Sequence, residues 1–296
     1  MSRVLVTGSE GFIGRPTVRA LKSAGHEVFT LDINGKNRNH FNVDIVDGNL
    51  ESIFATVMPE VIIHLAAQII VTESFVDPLR DLDVNGKGTV RLASAAIASG
   101  CKNFVYVGSG GAIYDSNATM PLTERSAERP VSPYGLSKAL GEGYVRVLSE
   151  KAGTSWTSLA LSNCYGPVRE HGRGVIYQFW KALQEERAPF INGEGVTRDF
   201  VHIDDVVQSI VLSIRNPTNQ RVNISSATEI SLSDLFSAVA RTMGSTIKPI
   251  VRDPLVGDVL RSCLSNARAK ELLNWEPKIS LQIGLEMCLS NSGVDL

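Results

Sequence analysis

The sequence predicts an α/β fold, a doubly wound parallel sheet with a smaller C-terminal α/β lobe. Three observations carry that reading. Short runs of Val, Ile, Leu and Phe alternate along the chain with segments of helical spacing. Such a βαβ rhythm builds a parallel sheet covered on both faces. The apolar runs lack the polar–apolar alternation of a strand with one wet face. A glycine-rich turn sits where the first run ends and the first helical segment begins.

Taken in order, strands are predicted at 3–7, 28–32, 61–65, 104–108 and 156–162, with helices at 15–24, 88–99 and 137–151 between them. Beyond Gly166 the rhythm loosens. His171-Gly172-Arg173-Gly174 precedes a helix from 175 to about 186, and later helices are predicted at 232–243 and 267–274. The division implied is a sheet domain at 1–165, to which the chain returns at about 200–225. A second lobe is built from 166–199 and 226–296. No internal repeat or low-complexity tract interrupts this plan.

Composition narrows the function classes. A chain of 296 residues can bury one large core or two unequal ones. With 43% hydrophobic and 20% charged residues and a formal net charge of -2, nothing favours nucleic acid or an anionic membrane as partner. Cys101, Cys164, Cys263 and Cys288 fit neither a metal spacing nor a disulfide framework, so free thiols in a reducing compartment are expected. Met1-Ser2-Arg3-Val4-Leu5-Val6 runs into a strand without the pattern of a signal peptide. No apolar run approaches the roughly 18 residues of a membrane span. A cytoplasmic location is expected.

The most specific motif is Thr7-Gly8-Ser9-Glu10-Gly11-Phe12-Ile13-Gly14, directly after the first strand and directly before a helix. Gly8, Gly11 and Gly14 let the chain turn tightly and bring its backbone close to a pyrophosphate, which then sits on the positive end of the helix. A tight βα turn alone would also explain three glycines. The strand–turn–helix context and Asp32, ending the second strand about 20 residues on, point to a dinucleotide. A carboxylate at Asp32 accepts both ribose hydroxyls and repels a 2′-phosphate. NAD is therefore favoured over NADP, with Lys36 and Arg38 weighing against.

Tyr134 and Lys138, in Ser132-Pro133-Tyr134-Gly135-Leu136-Ser137-Lys138, form a Y-x-x-x-K pair, and four residues apart on a helix places both on one face. A phenol titrating near about 10 is a poor base at neutral pH, but one beside an ammonium and a nicotinamide cation can be partly ionised.

These residues, with Asp44-Ile45 after the next short strand and His64-Leu65-Ala66-Ala67, resemble the extended short-chain dehydrogenase/reductases, the NAD-dependent epimerases and dehydratases of nucleotide sugars. The resemblance implies a Rossmann fold with the second lobe holding the nucleotide sugar. It carries Gly8, Gly11, Phe12, Ile13, Gly14, Asp32, Asp44, Ile45, Leu65, Ala66, Ala67 and Lys138 over as cofactor-binding residues. Asp44 and Ile45 are placed against adenine, and Leu65-Ala66-Ala67 along the cofactor channel. Asn85 matches the family's structural asparagine, a role compatible with a helix cap or turn. Tyr134 becomes the base, and Lys138 both its modifier and a ligand of the nicotinamide ribose.

The third catalytic residue departs from the pattern. The family carries Ser or Thr four residues before a Val-Tyr-Gly tyrosine, and Val107-Gly108-Ser109-Gly110-Gly111-Ala112-Ile113-Tyr114-Asp115 puts Gly110 there. Ser109 is the candidate, with Gly110-Gly111 allowing a bulge that turns its hydroxyl inward. The other reading of Ser109 is a turn cap. Family dehydratases place an Asp-Glu pair in this segment, and decarboxylases a glutamate. Gly111 and Ala112 supply neither, which leaves epimerisation as the simplest chemistry.

On the substrate side, Asn163-Cys164-Tyr165-Gly166-Pro167 resembles the family's Asn-x-Tyr-Gly-Pro, which implies that Asn163 contacts the nucleotide sugar. Thr197-Arg198-Asp199-Phe200-Val201-His202-Ile203-Asp204-Asp205 implies a diphosphate ligand in Arg198. In the family this segment ties the lobes together, so no metal is expected at its acidic residues. Asn192 stands where an aromatic is usual, with Phe190 nearby to stack on a base. Leu255-Val256-Gly257-Asp258 lacks the usual arginine, for which Arg252 or Arg261 would substitute. The expectation is a 4-epimerase acting on a UDP-hexose, a homodimer through helices 88–99 and 137–151. Its rivals are a dehydratase or ketosugar reductase, and a catalytically silent NAD-binding regulatory or scaffold protein.

Overall fold

The computed structural model describes residues 1–167, 172, 174–254 and 259–290. Seven strands form one parallel sheet: β1 (Arg3–Thr7), β2 (Glu27–Asp32), β3 (His40–Asn42), β4 (Val61–His64), β5 (Asn103–Ser109), β6 (Ser155–Leu161) and β7 (Gln220–Ile224). Their order is β3-β2-β1-β4-β5-β6-β7, with every neighbouring pair parallel. The order reverses direction between β1 and β4, and a crevice opens at the carboxyl ends of such a pair.

Successive residues of the strands face opposite layers. Val4, Val6, Ile63, Val105 and Val107 pack under α1 (Gly14–Ser23) and the helix Ile203–Arg215, with Val206 and Ile210 opposite them. Leu5, Ile62, Phe104 and Tyr106 pack under Ile53 and Phe54 of α2 (Leu50–Val57), Leu92 of α3 (Thr89–Ala98) and Val145 of α4 (Pro133–Ala152). Both faces being dry is why these runs read as continuously apolar.

A third core belongs to the lobe. Phe179, Trp180 and Leu183 of α5 (Val175–Gln184) and Leu235, Phe236 and Val239 of the helix Leu232–Thr242 pack with Tyr165, Phe200 and Leu285. Short pairs frame it: Asn163–Tyr165 with Phe200–His202, Thr197–Arg198 with Ile230–Ser231, and Phe190–Asn192 with Ile250–Arg252. Within the stretch expected in the lobe, Ala269, Leu273 and Trp275 pack instead on the first face of the sheet, and Trp275 Nε1 donates to the Asp205 carbonyl at 2.9 Å.

Two departures from the predicted elements matter for the site. α4 starts at Pro133, four residues before the predicted 137, because the Ser132 hydroxyl accepts from the Gly135 amide at 3.1 Å and Pro133 occupies the first turn. Ahead of α3, residues Asp83–Gly88 form a wide π-turn that buries Asn85, so the helix predicted at 88–99 begins at Thr89. His171, Arg173 and the segment 255–258 lie outside the described residues.

Candidate active site

The glycine loop packs so closely that side chains are excluded. A Cβ on Gly14 would stand 2.1 Å from the Gly8 carbonyl oxygen, and one on Gly8 2.5 Å from the Ala66 nitrogen. Gly8 also has φ +66, which a side chain rarely adopts. Ile13 caps α1 without a side-chain hydrogen bond, so no side chain of the loop occupies the helix end, although the Arg15 amide donates to the Gly11 carbonyl at 3.2 Å. Ser9 Oγ is buried in the loop without a partner among the described residues. Asp32 accepts the Glu10 amide at 2.9 Å and the Ile33 amide at 2.8 Å, which fixes the carboxylate beside the loop. An uncapped helix end, a backbone cradle and an oriented acid at the end of β2 suit a dinucleotide.

Other expected cofactor residues surround this cradle. Phe12 is exposed, its ring lying over Gly166, while Ile13 packs against the first core. Leu65, Ala66 and Ala67 are half-buried on the opposite wall, held when the Thr7 carbonyl accepts from Leu65 N at 3.1 Å. Asp44 is exposed and accepts the Val46 amide at 2.8 Å. The Ile45 side chain is 3% exposed and belongs to the second core, and its carbonyl accepts from Arg91 at 3.0 Å.

Beneath the crevice His64 shares a 2.8 Å hydrogen bond with Thr7 Oγ1 and a 2.9 Å one with Thr89 Oγ1. Thr89 donates its own proton to the Asn85 carbonyl, which leaves His64 Nε2 as donor to it. Burial, reinforced by the nearby Lys138 charge, holds the imidazole down to about 3. Asn85 in turn clamps the Gln68 main chain, donating to its carbonyl and accepting its amide, both at 3.0 Å.

Tyr134 and Lys138 lie on the first two turns of α4. The Tyr134 amide donates to Ser74 Oγ at 3.1 Å, and Lys138 Nζ donates to the Val107 carbonyl at 2.9 Å. Nζ also sits 4.4 Å from the Tyr106 ring centre. Burial pulls Lys138 down to about 8, with Glu142 and Asp81 pulling the other way. Burial pushes the Tyr134 phenol up, and its hydrogen bond with the Ser109 side chain opposes that.

Ser109 therefore lies within hydrogen-bonding reach of Tyr134, and its side chain caps no helix. At Gly110 a Cβ would stand 2.5 Å from Leu264 Cδ1, facing the interior. One on Gly111 would stand 3.5 Å from Asn163 Oδ1, so Asn163 adjoins the end of β5. Asn163 also lines a cavity of about 200 Å³ with Val175, Gln178, Phe190, Asn192, Arg198 and Leu232. Arg198 reaches it from the short strand Thr197–Arg198 and donates to the Thr197 carbonyl at 2.8 Å. Arg252 is exposed, its guanidinium carbon over the Phe190 ring 3.1 Å from the centre, while Arg261 makes two 2.8 Å bonds to Glu229. Asp199 and Asp205 spend their oxygens on the amides of Ser226 and Leu264, and of Lys278 and Ile279.

Residues 4–225 match the profile of the NAD dependent epimerase/dehydratase family. The chain belongs to that family. Among curated relatives of this epimerase/dehydratase chain, the UDP-glucose 4-epimerase of Mycolicibacterium smegmatis is 38% identical, over 96% of each chain. The crystal structure of a UDP-glucose 4-epimerase from Thermotoga maritima with UDP-glucose superposes with a TM-score of 0.93 at 35% identity, over 97% of each chain. That of Thermus thermophilus UDP-glucose 4-epimerase with NAD gives 0.88 at 32%, over 97% of this chain and 98% of that one.

Sequence reading of this epimerase/dehydratase chain missed two sets of residues. Gln178, Val175 and Leu232 line the cavity, and no motif spacing marks them. Gln68, Asp81 and Ser137 form a buried polar cluster behind Tyr134. Its signal was present, since Asp81 and Asn85 are four apart and lie on one helical face.

Proposed function

We propose that the chain is a 4-epimerase of a UDP-hexose, acting on UDP-glucose and UDP-galactose, the activity named for its relatives. The observation that carries this is the end of β5. Ser109 meets Tyr134 there, while Gly111 and Ala112 bring no acid or base beside them. Gly8, Gly11 and Gly14 would hold the pyrophosphate of NAD, Asp32 the adenosine ribose and Lys138 the nicotinamide ribose. NAD, when bound, supplies the two-electron acceptor for the C4 hydrogen and a positive charge beside the phenol. Tyr134 takes the proton of the C4 hydroxyl and later returns it. Ser109 holds that oxygen, and Asn163 and Arg198 hold the nucleotide diphosphate from the lobe.

Elimination chemistry needs a group to draw the C5 proton, and the neighbouring candidates are occupied. The Tyr114 hydroxyl is buried and donates to Asn223 Oδ1 at 2.8 Å. Asp115 accepts the Asn117 amide at 3.0 Å, and burial pushes the Cys164 thiol far above its usual range. In deuterated water the purified protein should convert UDP-glucose to UDP-galactose with no deuterium at C5, read by NMR. Deuterium at C5, or a product lighter by one water, would replace epimerisation with dehydration.

The same reading makes 166–199 and 226–296, apart from the sheet-packed Ala269, Leu273 and Trp275, the nucleotide-sugar-binding part and the molecule a cytoplasmic homodimer. Leu136, Leu140, Tyr144 and Val147 recur along one side of α4, each at least 42% exposed, beside exposed Leu79 and Leu82. An apolar stripe of that length on a soluble surface favours a second copy of the same helix. Among the described residues no helix is long and apolar enough to cross a membrane.

A further inference from the structure

Asp81 is 1% exposed and takes no part in the chemistry above. It accepts from Gln68 Nε2 at 2.9 Å, from Asn85 Nδ2 at 3.2 Å and from the Ser137 hydroxyl. All three partners are neutral, and Asp81 forms no ion pair among the described residues. Asp77, Arg80, Asp83 and Lys87 on the same stretch point to solvent, and Glu73 on the preceding helix does too. A buried carboxylate without a cation is costly, and an amide of the same shape could satisfy the same partners. Its charge therefore acts on something else.

Ser137 shows what that is. It stands between Tyr134 and Lys138 in the sequence, and its hydroxyl also lies 3.1 Å from the Tyr134 carbonyl. We infer that Asp81 is the positioning residue of the catalytic pair, fixing the first turn of α4 through Ser137 and setting its carboxylate behind Tyr134 and Lys138. This rests on the reading of Tyr134 and Lys138 given above. The carboxylate acts on both groups in one direction, raising the phenol and the ammonium alike. For Lys138 it works with Glu142 against burial, which has brought the ammonium to about 8, within reach of losing its proton at working pH.

Other charges around the pair are separately bound. Glu142, one turn further along α4, accepts from Arg221 Nε of β7 at 2.6 Å, and Arg221 also meets Glu128 at 2.7 Å. His64 on β4 is neutral, and Tyr106 on β5 is held un-ionised by burial. None of these changes when Asp81 is substituted.

The test is the titration of the pair in the full-length protein, by NMR of ring-labelled tyrosine and ε-labelled lysine, with Tyr134→Phe and Lys138→Met assigning the signals. Asp81→Asn should move both titrations down by about one pH unit. Ser137→Ala, which keeps the charge, should leave them in place. Asp81→Ser, with room for water on the same partners, should behave as Asp81→Asn. Unmoved titrations in a folded charge-removing variant overturn the assignment. So does loss of the fold in both, which would make Asp81 a structural strut. Because the readout needs no turnover, absence of epimerase activity in the unaltered protein would sink the functional reading and leave this one standing.

Discussion

A side chain at Gly110 would collide with Leu264 at 2.5 Å and press on the Ala160 carbonyl at 3.1 Å. The position where family members carry a hydroxyl thus faces the core here, and Ser109 one residue earlier faces Tyr134. Ser109→Ala should lower kcat about ten- to a hundredfold, the weight of one hydrogen bond to a reacting oxygen. Tyr134→Phe should lower it by about two to four orders of magnitude. Adding Gly110→Ser to Ser109→Ala should restore nothing and cost about 1–3 kcal/mol of stability by overpacking. Recovery of turnover in the double variant, or an unchanged rate in either single one, would contradict this geometry. Ser109 was legible because a motif displaced by one residue still leaves a hydroxyl beside two glycines. Asp81 left only its four-residue spacing from Asn85 as a signal, because a lone acid in a polar stretch reads as solvent-facing until the fold buries it.

Among the elements, the βα units were legible where burial is two-sided, and least legible where polar groups are buried. Gln220-Arg221-Val222-Asn223-Ile224 alternates polar and apolar residues, yet it is β7, with Asn223 bonded to the Leu122 carbonyl and Arg221 to Glu142. The π-turn at Asp83–Gly88 has no sequence period to betray it. α2, by contrast, shows Leu50, Ile53, Phe54 and Val57 at helical spacing behind an Asn49 cap, a signal the sequence reading left unused. His64, joining β1, β4 and α3, gives this layer a pH dependence. The unfolded chain protonates it near 6.5, whereas the folded protein refuses the proton until about 3. Its contribution is therefore intact above pH 6.5 and is lost as the pH falls toward 3. Between pH 7 and 4 the unaltered protein should lose roughly 3 kcal/mol more stability than His64→Asn, from urea midpoints. Parallel losses in the two proteins would show that this imidazole is not the group responsible.

For the molecule as a whole, the homodimer proposed through the α4 stripe predicts that assembly is separable from cofactor binding. Leu140 is 42% exposed and stands at the middle of that stripe, on the side of the helix away from buried Val145. Leu140→Asp should yield a monomer by light scattering that still binds NAD, since the residue touches neither the glycine loop nor Lys138. A variant with the same solution mass as the unaltered protein would sink the proposed interface.

β7 closes the sheet by pairing along β6 from Gln220↔Thr157 to Ile224↔Leu161, although the whole lobe segment 166–199 separates the two in sequence. During synthesis the ribosome must add about sixty residues after Leu161 before Gln220 emerges, roughly 3–12 s at ordinary elongation rates. Throughout that interval β6 is an open edge with unpaired backbone groups, the geometry that recruits strands from other chains. The nascent chain thus still carries an open, aggregation-prone edge late in translation. Ribosome pausing between codons 162 and 220 would lengthen the exposure, and a fragment ending in that window would carry the open edge permanently.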